Sequence, residues 1–371
     1  MHPDTPPPWP DSAFPADPYP GSRPGVSFLH DGAHDGGSTT PLTADPTAPS
    51  GWRADGRCLD GLLARSGAVP LAGRVPVLAY GSNANPEKIS WMREHRGLTG
   101  PVVALQVRVE GLAAVWSAGR RVVDDQRPAT LAAVPGAVEE HVVWLAAPDQ
   151  FTALDAVEGR TAAPPRYRLA RIATGSVTIP ETGAVLDRPY AYVAPGRPTG
   201  VARTDRRPLL VHGAPVRCAQ VGQADAAVLT GAPGADGLDA RTVTGAPDPD
   251  GWPPRIFVYG SLMPRQRAWP LVRGHADPGT LPRPAFLPAG GVADTGRGYP
   301  ALNLDGNSGV PGYVVELADP VLALPALDGY EGPEYRRIRV VLDDGAVCWA
   351  WLWTAPRDGH VPLPGGWAAR R

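Results

Sequence analysis

Lysine is nearly missing from this 371-residue chain: Lys88 stands alone, and every other basic residue is arginine. Together with abundant Ala, Pro and Gly this bias looks like GC-rich coding, so the arginine excess is no sign of phosphate binding. Cysteine is scarce too. Cys58, Cys218 and Cys348 are odd in number and far apart, which excludes a disulfide framework and fits free thiols in a reducing compartment; a cytoplasmic location is expected. No run of about 18 apolar residues occurs, so no transmembrane helix is expected, and the N-terminus lacks the basic-then-apolar layout of a signal peptide. The net charge of -2 offers no electrostatic case for a nucleic acid or an anionic membrane as partner. His-Glu-x-x-His, Cys-x-x-Cys, Gly-x-Ser-x-Gly and phosphate-loop motifs are all missing. His30 and His34 have helical spacing but lie in a segment with little apolar content, and His141, His212 and His275 show no partner pattern. Neither a metal nor a cofactor is expected.

Proline and glycine, at 46 and 44 residues, are in excess, and much of that excess lies in two segments. Residues 1–50 contain almost no apolar periodicity, so burial cannot offset chain entropy and a disordered tail is expected. Residues 226–253 read as a loop-like linker. The length suits two domains, a first over 51–225 and a second over 254–371.

Those two domains contain one pattern twice. Tyr80-Gly81-Ser82 closes the apolar run Val75–Ala79, and Tyr259-Gly260-Ser261 closes Ile256–Val258. About 70 to 80 residues further on come Leu154-Asp155-Ala156-Val157-Glu158-Gly159 and Leu327-Asp328-Gly329-Tyr330-Glu331-Gly332, a period too long for a solenoid. Tyr167-Arg168 and Tyr335-Arg336 then follow. Residues Arg160–Pro165 are inserted only in the first copy and leave the equivalence of Tyr167 and Tyr335 open.

The local signals predict strands over 102–109, 129–134, 142–146, 167–172 and 190–193 in the first copy, and near 300–304 and 312–317 in the second. Asn85 can cap a helix that has Pro86 at its first position. A short helix over 58–64 leads into the first domain. Helices starting near Pro148-Asp149 and Asp319-Pro320 should stop at Gly159 and Gly332, with Pro325 bending or shortening the latter. Asp343-Asp344-Gly345 suits a tight turn between strands 337–342 and 347–354.

A Tyr-Gly-Ser turn at a strand end can aim backbone N–H groups into one cavity, where they bind an anion or a developing oxyanion. Glu158 and Glu331 end short helices, and the negative end of the helix dipole raises a carboxyl pKa. A carboxylate tuned upward suits a general base near neutral pH. Asp155 and Asp328 are expected to pair with Arg168 and Arg336.

These residues resemble the gamma-glutamylcyclotransferase superfamily. Leu78-Ala79-Tyr80-Gly81-Ser82-Asn83 with Leu154–Gly159 is similar to the gamma-glutamylcyclotransferase branch. Phe257–Leu262, Gly298–Leu302, Pro311–Leu317 and Leu327–Gly332 are similar to the gamma-glutamylamine cyclotransferase-like branch. The resemblance implies an α+β fold of two tandem small mixed β-barrel domains with short marginal helices. It also implies closure of a gamma-glutamyl amine or peptide to 5-oxoproline with release of the amine. Glu158 and Glu331 would be the acid/base residues; Tyr80, Gly81, Ser82, Asn83, Tyr259, Gly260, Ser261, Leu262, Tyr167 and Tyr335 would bind the small-molecule substrate. A non-catalytic ligand-binding or scaffold role, and gamma-glutamyl transfer or hydrolysis, stay open, as do the oligomeric state and whether both copies are active.

Overall fold

The computed structural model describes residues 8–32, 37–196, 204–306 and 308–370; His34 lies outside them. In the first lobe the elements are β1 (Phe28–His30), β2 (Ser38–Ala44), β3 (Val75–Ala79), α1 (Pro86–Arg96), β4 (Val102–Trp116), β5 (Ala129–Ala146), α2 (Gln150–Glu158), β6 (Arg168–Ile172), β7 (Tyr190–Val193) and β8 (Ala240–Thr242). Their sheet order is β8-β6-β7-β3-β5-β4-β1-β2. The second lobe has β9 (Arg255–Val258), β10 (Arg283–Leu287), β11 (Val310–Glu316), α3 (Pro320–Glu331), β12 (Tyr335–Val341) and β13 (Val347–Trp353), ordered β10-β11-β9-β13-β12.

Both sheets treat the strand entering Tyr-Gly-Ser alike. β3 pairs antiparallel with β5 and parallel with β7, Val77 opposite Tyr190. β9 pairs antiparallel with β11 and parallel with β13, Ile256 opposite Trp349. The strand after each glutamate, β6 or β12, lies antiparallel beyond the parallel neighbour. A parallel neighbour requires a crossover rather than a tight hairpin, and the glutamate helices α2 and α3 lie within those crossovers. Ile89 and Met92 of α1 and Phe151 and Leu154 of α2 bury against Val75, Val77 and Trp144. Ala323, Leu324 and Leu327 of α3 bury against Ile256, Val258, Trp349 and Trp351.

The local stop and start signals act as expected. Asn85 accepts from the Lys88 amide at 2.7 Å, with Pro86 at the first helical position. Gly159, at φ +63°, ends α2 in the left-handed region that glycine tolerates. The expected strands over 102–109, 129–134 and 142–146 merge into one long hairpin of 15 and 18 residues, with a bulge between Glu110 and Leu112. Gly111, at φ +78°, sits at that bulge. α3 runs its full 12 residues through Pro325. Pro325 faces solvent, and the carbonyl it leaves unpaired belongs to the exposed Val321, where water can satisfy it.

Three expectations need correction. The tail is not disordered over its described residues: β1 and β2 add to the edge of β4, and Trp9–Pro10 pairs with β2. Its apolar residues are few, but Phe28 is fully buried. His30 Nε2 lies 3.2 Å from Asp11 Oδ1, and Ser90 of α1 donates to the same carboxylate. Residues 226–253 are not merely a linker, because β8 pairs with β6 and Trp252 is buried, its Nε1 donating to the Asp187 carbonyl at 2.9 Å. Among the described residues neither sheet closes into a barrel. The first is extended at both edges by the tail and by β8. In the second, β12 remains an end strand whose Arg339 reaches across to the carbonyls of Leu71 at 3.1 Å and Trp252 at 3.0 Å. No helix among the described residues is long and apolar enough to cross a membrane.

Because Phe28 belongs to the core, Phe28→Ala should destabilise the first lobe by about 3 to 5 kcal/mol, measured by urea titration. A tail without native contacts would leave the unfolding midpoint unmoved.

Candidate functional site

Each Tyr-Gly-Ser turn opens onto a cavity, of about 660 Å³ in the first lobe and about 330 Å³ in the second. The turn is held by its tyrosine. Tyr80 donates its hydroxyl proton to the Tyr192 carbonyl of β7, and Tyr192 donates its own to Asp155 Oδ1 at 2.6 Å. In the second lobe Tyr259 donates to the Trp351 carbonyl of β13 at 2.5 Å, and Trp351 Nε1 donates to Asp328 Oδ1 at 2.8 Å. The aspartates of the two Leu-Asp motifs thus tie the glutamate helices to the strand that anchors the turn. Their arginine partners are Arg160, at 3.0 Å from Asp155, and Arg337, at 3.2 Å from Asp328. Arg168 and Arg336 do not fill that role, because alternation along β6 and β12 directs neighbouring side chains to opposite faces.

Tyr167 and Tyr335 do the same job despite the insertion between Glu158 and Tyr167. Tyr167 donates to the Ala129 carbonyl at 2.7 Å and Tyr335 to the Pro300 carbonyl at 2.5 Å. Both line their cavities. The six extra residues bulge away as a turn, with the Arg166 amide bonded back to the Gly159 carbonyl at 3.0 Å.

The glutamates face these cavities half-buried. Glu158 Oε1 accepts from Asn83 Nδ2 at 2.7 Å. Burial raises its pKa, while the Asn83 bond and the charges of Arg166, Lys88 and Arg206 pull it back. No hydrogen bond to the Glu331 carboxylate occurs among the described residues; burial, and then the negative Asp328, push it up to about 7. Removal from water is the leading cause in both lobes. The turn amides of Ser82 and Asn83, and of Ser261 and Leu262, engage no backbone acceptor among the described residues. All four residues line the cavities.

Among the predicted residues, Leu262 lines its cavity while packing in the core with Ile256 and Val258. Sequence reasoning also missed residues that the fold brings to the first cavity. Tyr19 arrives from the supposed tail, its hydroxyl oxygen accepting from the Ala129 amide at 3.0 Å. Lys88 Nζ sits 3.3 Å from the centroid of the Trp91 ring, and burial lowers its pKa to about 8. Arg96, Arg121, Arg166 and Arg206 complete a cationic wall. Lys88 had a usable signal in being the only lysine, one turn into a helix beside the glycine loop. The arginines had none in a chain so rich in arginine.

Residues 256–369 match the model of the family described as gamma-glutamyl cyclotransferase, AIG2-like. The resemblance read from the second copy is borne out by this match, which covers less than a third of the chain and does not extend to the first copy. No curated protein matches the sequence. Three solved structures show weak likeness. An uncharacterized protein from Pyrococcus horikoshii is 18% identical over 30% of this chain and 87% of its own, with a TM-score of 0.25. A protein described as gamma-glutamyl cyclotransferase is 20% identical over 33% of this chain and 66% of its own, with a TM-score of 0.27. An uncharacterized protein from Homo sapiens is 20% identical over 33% of this chain and 68% of its own, with a TM-score of 0.26.

The raised Glu331 pKa fixes a sign for stability. A carboxyl whose folded pKa exceeds its unfolded value is bound more tightly to its proton in the native state, so stability falls as pH rises through about 4.5 to 7. Glu331→Gln removes that ionisation and should stabilise the protein at pH 8 by on the order of 1 to 3 kcal/mol. The gain should vanish below pH 4.5, as followed by thermal unfolding across pH.

Proposed function

We propose that the chain is a tandem enzyme of the gamma-glutamylcyclotransferase type, with one site in each lobe. The observation that supports this best is the recurrence of one constellation. In both cavities a glutamate with a raised pKa faces a Tyr-Gly-Ser turn with unengaged amides, and in both the tyrosine of that turn is anchored through the neighbouring parallel strand to the aspartate of the glutamate helix.

The chemistry follows from those groups. Glu158 or Glu331 removes a proton from the donor's α-ammonium. The freed amine attacks the γ-carbonyl carbon of the same molecule, forming the ring C–N bond and placing negative charge on the carbonyl oxygen. Ring closure onto a five-membered lactam has proximity built in, so the site has only to hold the folded-back conformer and accept the proton. The amides of Ser82 and Asn83, or of Ser261 and Leu262, stabilise the oxyanion. Collapse breaks the bond to the leaving nitrogen, which takes the proton from the glutamic acid. The ring nitrogen, cationic after attack, then gives its second proton to the glutamate, and the amine carries it away as an ammonium. The products are 5-oxoproline and a free amine.

The two sites are not copies. Asn83 hydrogen-bonds Glu158, whereas the corresponding Leu262 is buried and Glu331 is raised by burial and by the negative Asp328. The first lobe also has the larger and more basic cavity.

Glu158→Gln and Glu331→Gln should each remove the activity of one lobe, and the double change should lower 5-oxoproline formation by about 10² to 10⁴-fold. A panel of gamma-glutamyl amines and peptides with mass detection of the product checks this. Undiminished turnover in the double variant would eliminate the proposal; release of glutamate in place of 5-oxoproline would replace cyclisation by hydrolysis; saturable binding without turnover would leave a binding protein. In Glu158→Gln protein, which isolates the second site, turnover should rise with pH about an apparent pKa near 7.

A further inference from the structure

Most cations in the first cavity wall already have a partner. Arg166 donates to the Val157 carbonyl at 2.9 Å, Arg121 pairs with Asp124 at 2.7 Å, and Lys88 lies over the Trp91 ring. Arg206 differs. It is only 4% exposed, and among the described residues no carboxylate lies within ion-pair distance of it. Its Nη1 donates to the Arg120 carbonyl at 3.3 Å, and its Nε has no acceptor. The adjacent Asp205 carboxylate is taken by Arg207, at 2.7 and 3.1 Å. Glu158 is near enough to feel the Arg206 charge, yet it bonds Asn83 instead.

A buried guanidinium without a counter-ion and with an orphaned N–H is costly, and that cost is relieved if an anion enters the cavity. We propose that Arg206 is the anion-binding residue of the first site and takes the α-carboxylate of the donor, the group that remains on the ring in 5-oxoproline. This rests on the cyclisation reading above. The α-carboxylate and the nucleophilic nitrogen share one carbon, so a cavity lined by both Arg206 and Glu158 serves the two groups together. Among the described residues the second cavity has no such group: its lining cation, Arg267, is exposed. Arg206 comes from a segment outside the repeated motifs, so the two lobes hold the same head group by different means.

The test uses the full chain bearing Glu331→Gln, which leaves the first site as the working one. Two donors are compared: a gamma-glutamyl anilide and the 4-aminobutanoyl anilide, which lacks the carboxylate and closes to 2-pyrrolidinone. Arg206→Met should lower kcat/KM on the gamma-glutamyl anilide by about 100-fold and leave the carboxylate-free donor within about 3-fold; Arg206→Lys should recover part of the loss, since a point charge replaces the fork. Equal losses on both donors, or no loss on either, overturn the assignment. If Arg206→Met does not fold, the same two-donor comparison on Arg206→Lys decides, with a loss confined to the gamma-glutamyl anilide expected. If the parent protein turns over neither donor, the cyclisation reading fails separately. Calorimetric titration with 5-oxoproline and with 2-pyrrolidinone then decides the site: Arg206-dependent binding of the acid alone sustains it, and its lack overturns it.

Discussion

In both lobes the tyrosine of the glycine turn donates its hydroxyl proton to a main-chain carbonyl of the parallel neighbouring strand. The side chain at that same neighbouring position then donates to the aspartate that precedes the glutamate. This short chain of hydrogen bonds links turn, strand and helix, and the geometry of each cavity depends on it. Three of the linked groups are buried or half-buried in each lobe, where a hydrogen bond is stronger and an unmade one is expensive. The turn cannot drift from the glutamate without breaking the frame. That explains why a tyrosine precedes the glycine and an aspartate precedes the glutamate in both copies, although neither group need touch a substrate.

On that common frame the lobes diverge electrostatically. Asn83 offers Glu158 a donor, and Lys88, Arg166 and Arg206 surround it with positive charge. Glu331 has a nearby negative charge, Asp328, and no hydrogen bond among the described residues. Burial raises both pKa values, but only the second is raised with so little opposition. The two cavities therefore differ in size and in the charge around their glutamates.

The lobes are also joined by charge held against aromatic surface. Arg339 of β12 lies 4.7 Å from the Trp252 ring centroid and 4.5 Å from that of Trp349, with burial lowering its pKa to about 9. Its guanidinium donates to the carbonyls of Leu71 and Trp252 from the first lobe and the connecting segment. Arg255 adds an ion pair to Asp187 at 2.7 Å. The connecting segment is thus packed between the two sheets instead of spanning them loosely.

Signals that act over a few residues were legible in the sequence. The strands ending at Tyr80 and Tyr259, the Asn85 cap, the stops at Gly159 and Gly332, and the turn at Gly345 all follow from local backbone chemistry. Contacts between distant segments were not legible. Phe28–His30 and Ala240–Thr242 are too short and too poor in pattern to announce themselves as strands; they are strands because β4 and β6 present unpaired edges to them. Tyr19, Lys88 and Arg206 share a cavity with Glu158 only after the tail and the segment beyond β7 fold back over the first sheet. A repeated motif can mark where a carboxylate sits, because helix ends and glycine turns are local. How far that carboxylate is withheld from water, and which charges surround it, depends on burial by remote parts of the chain, and that is a property of the tertiary structure alone.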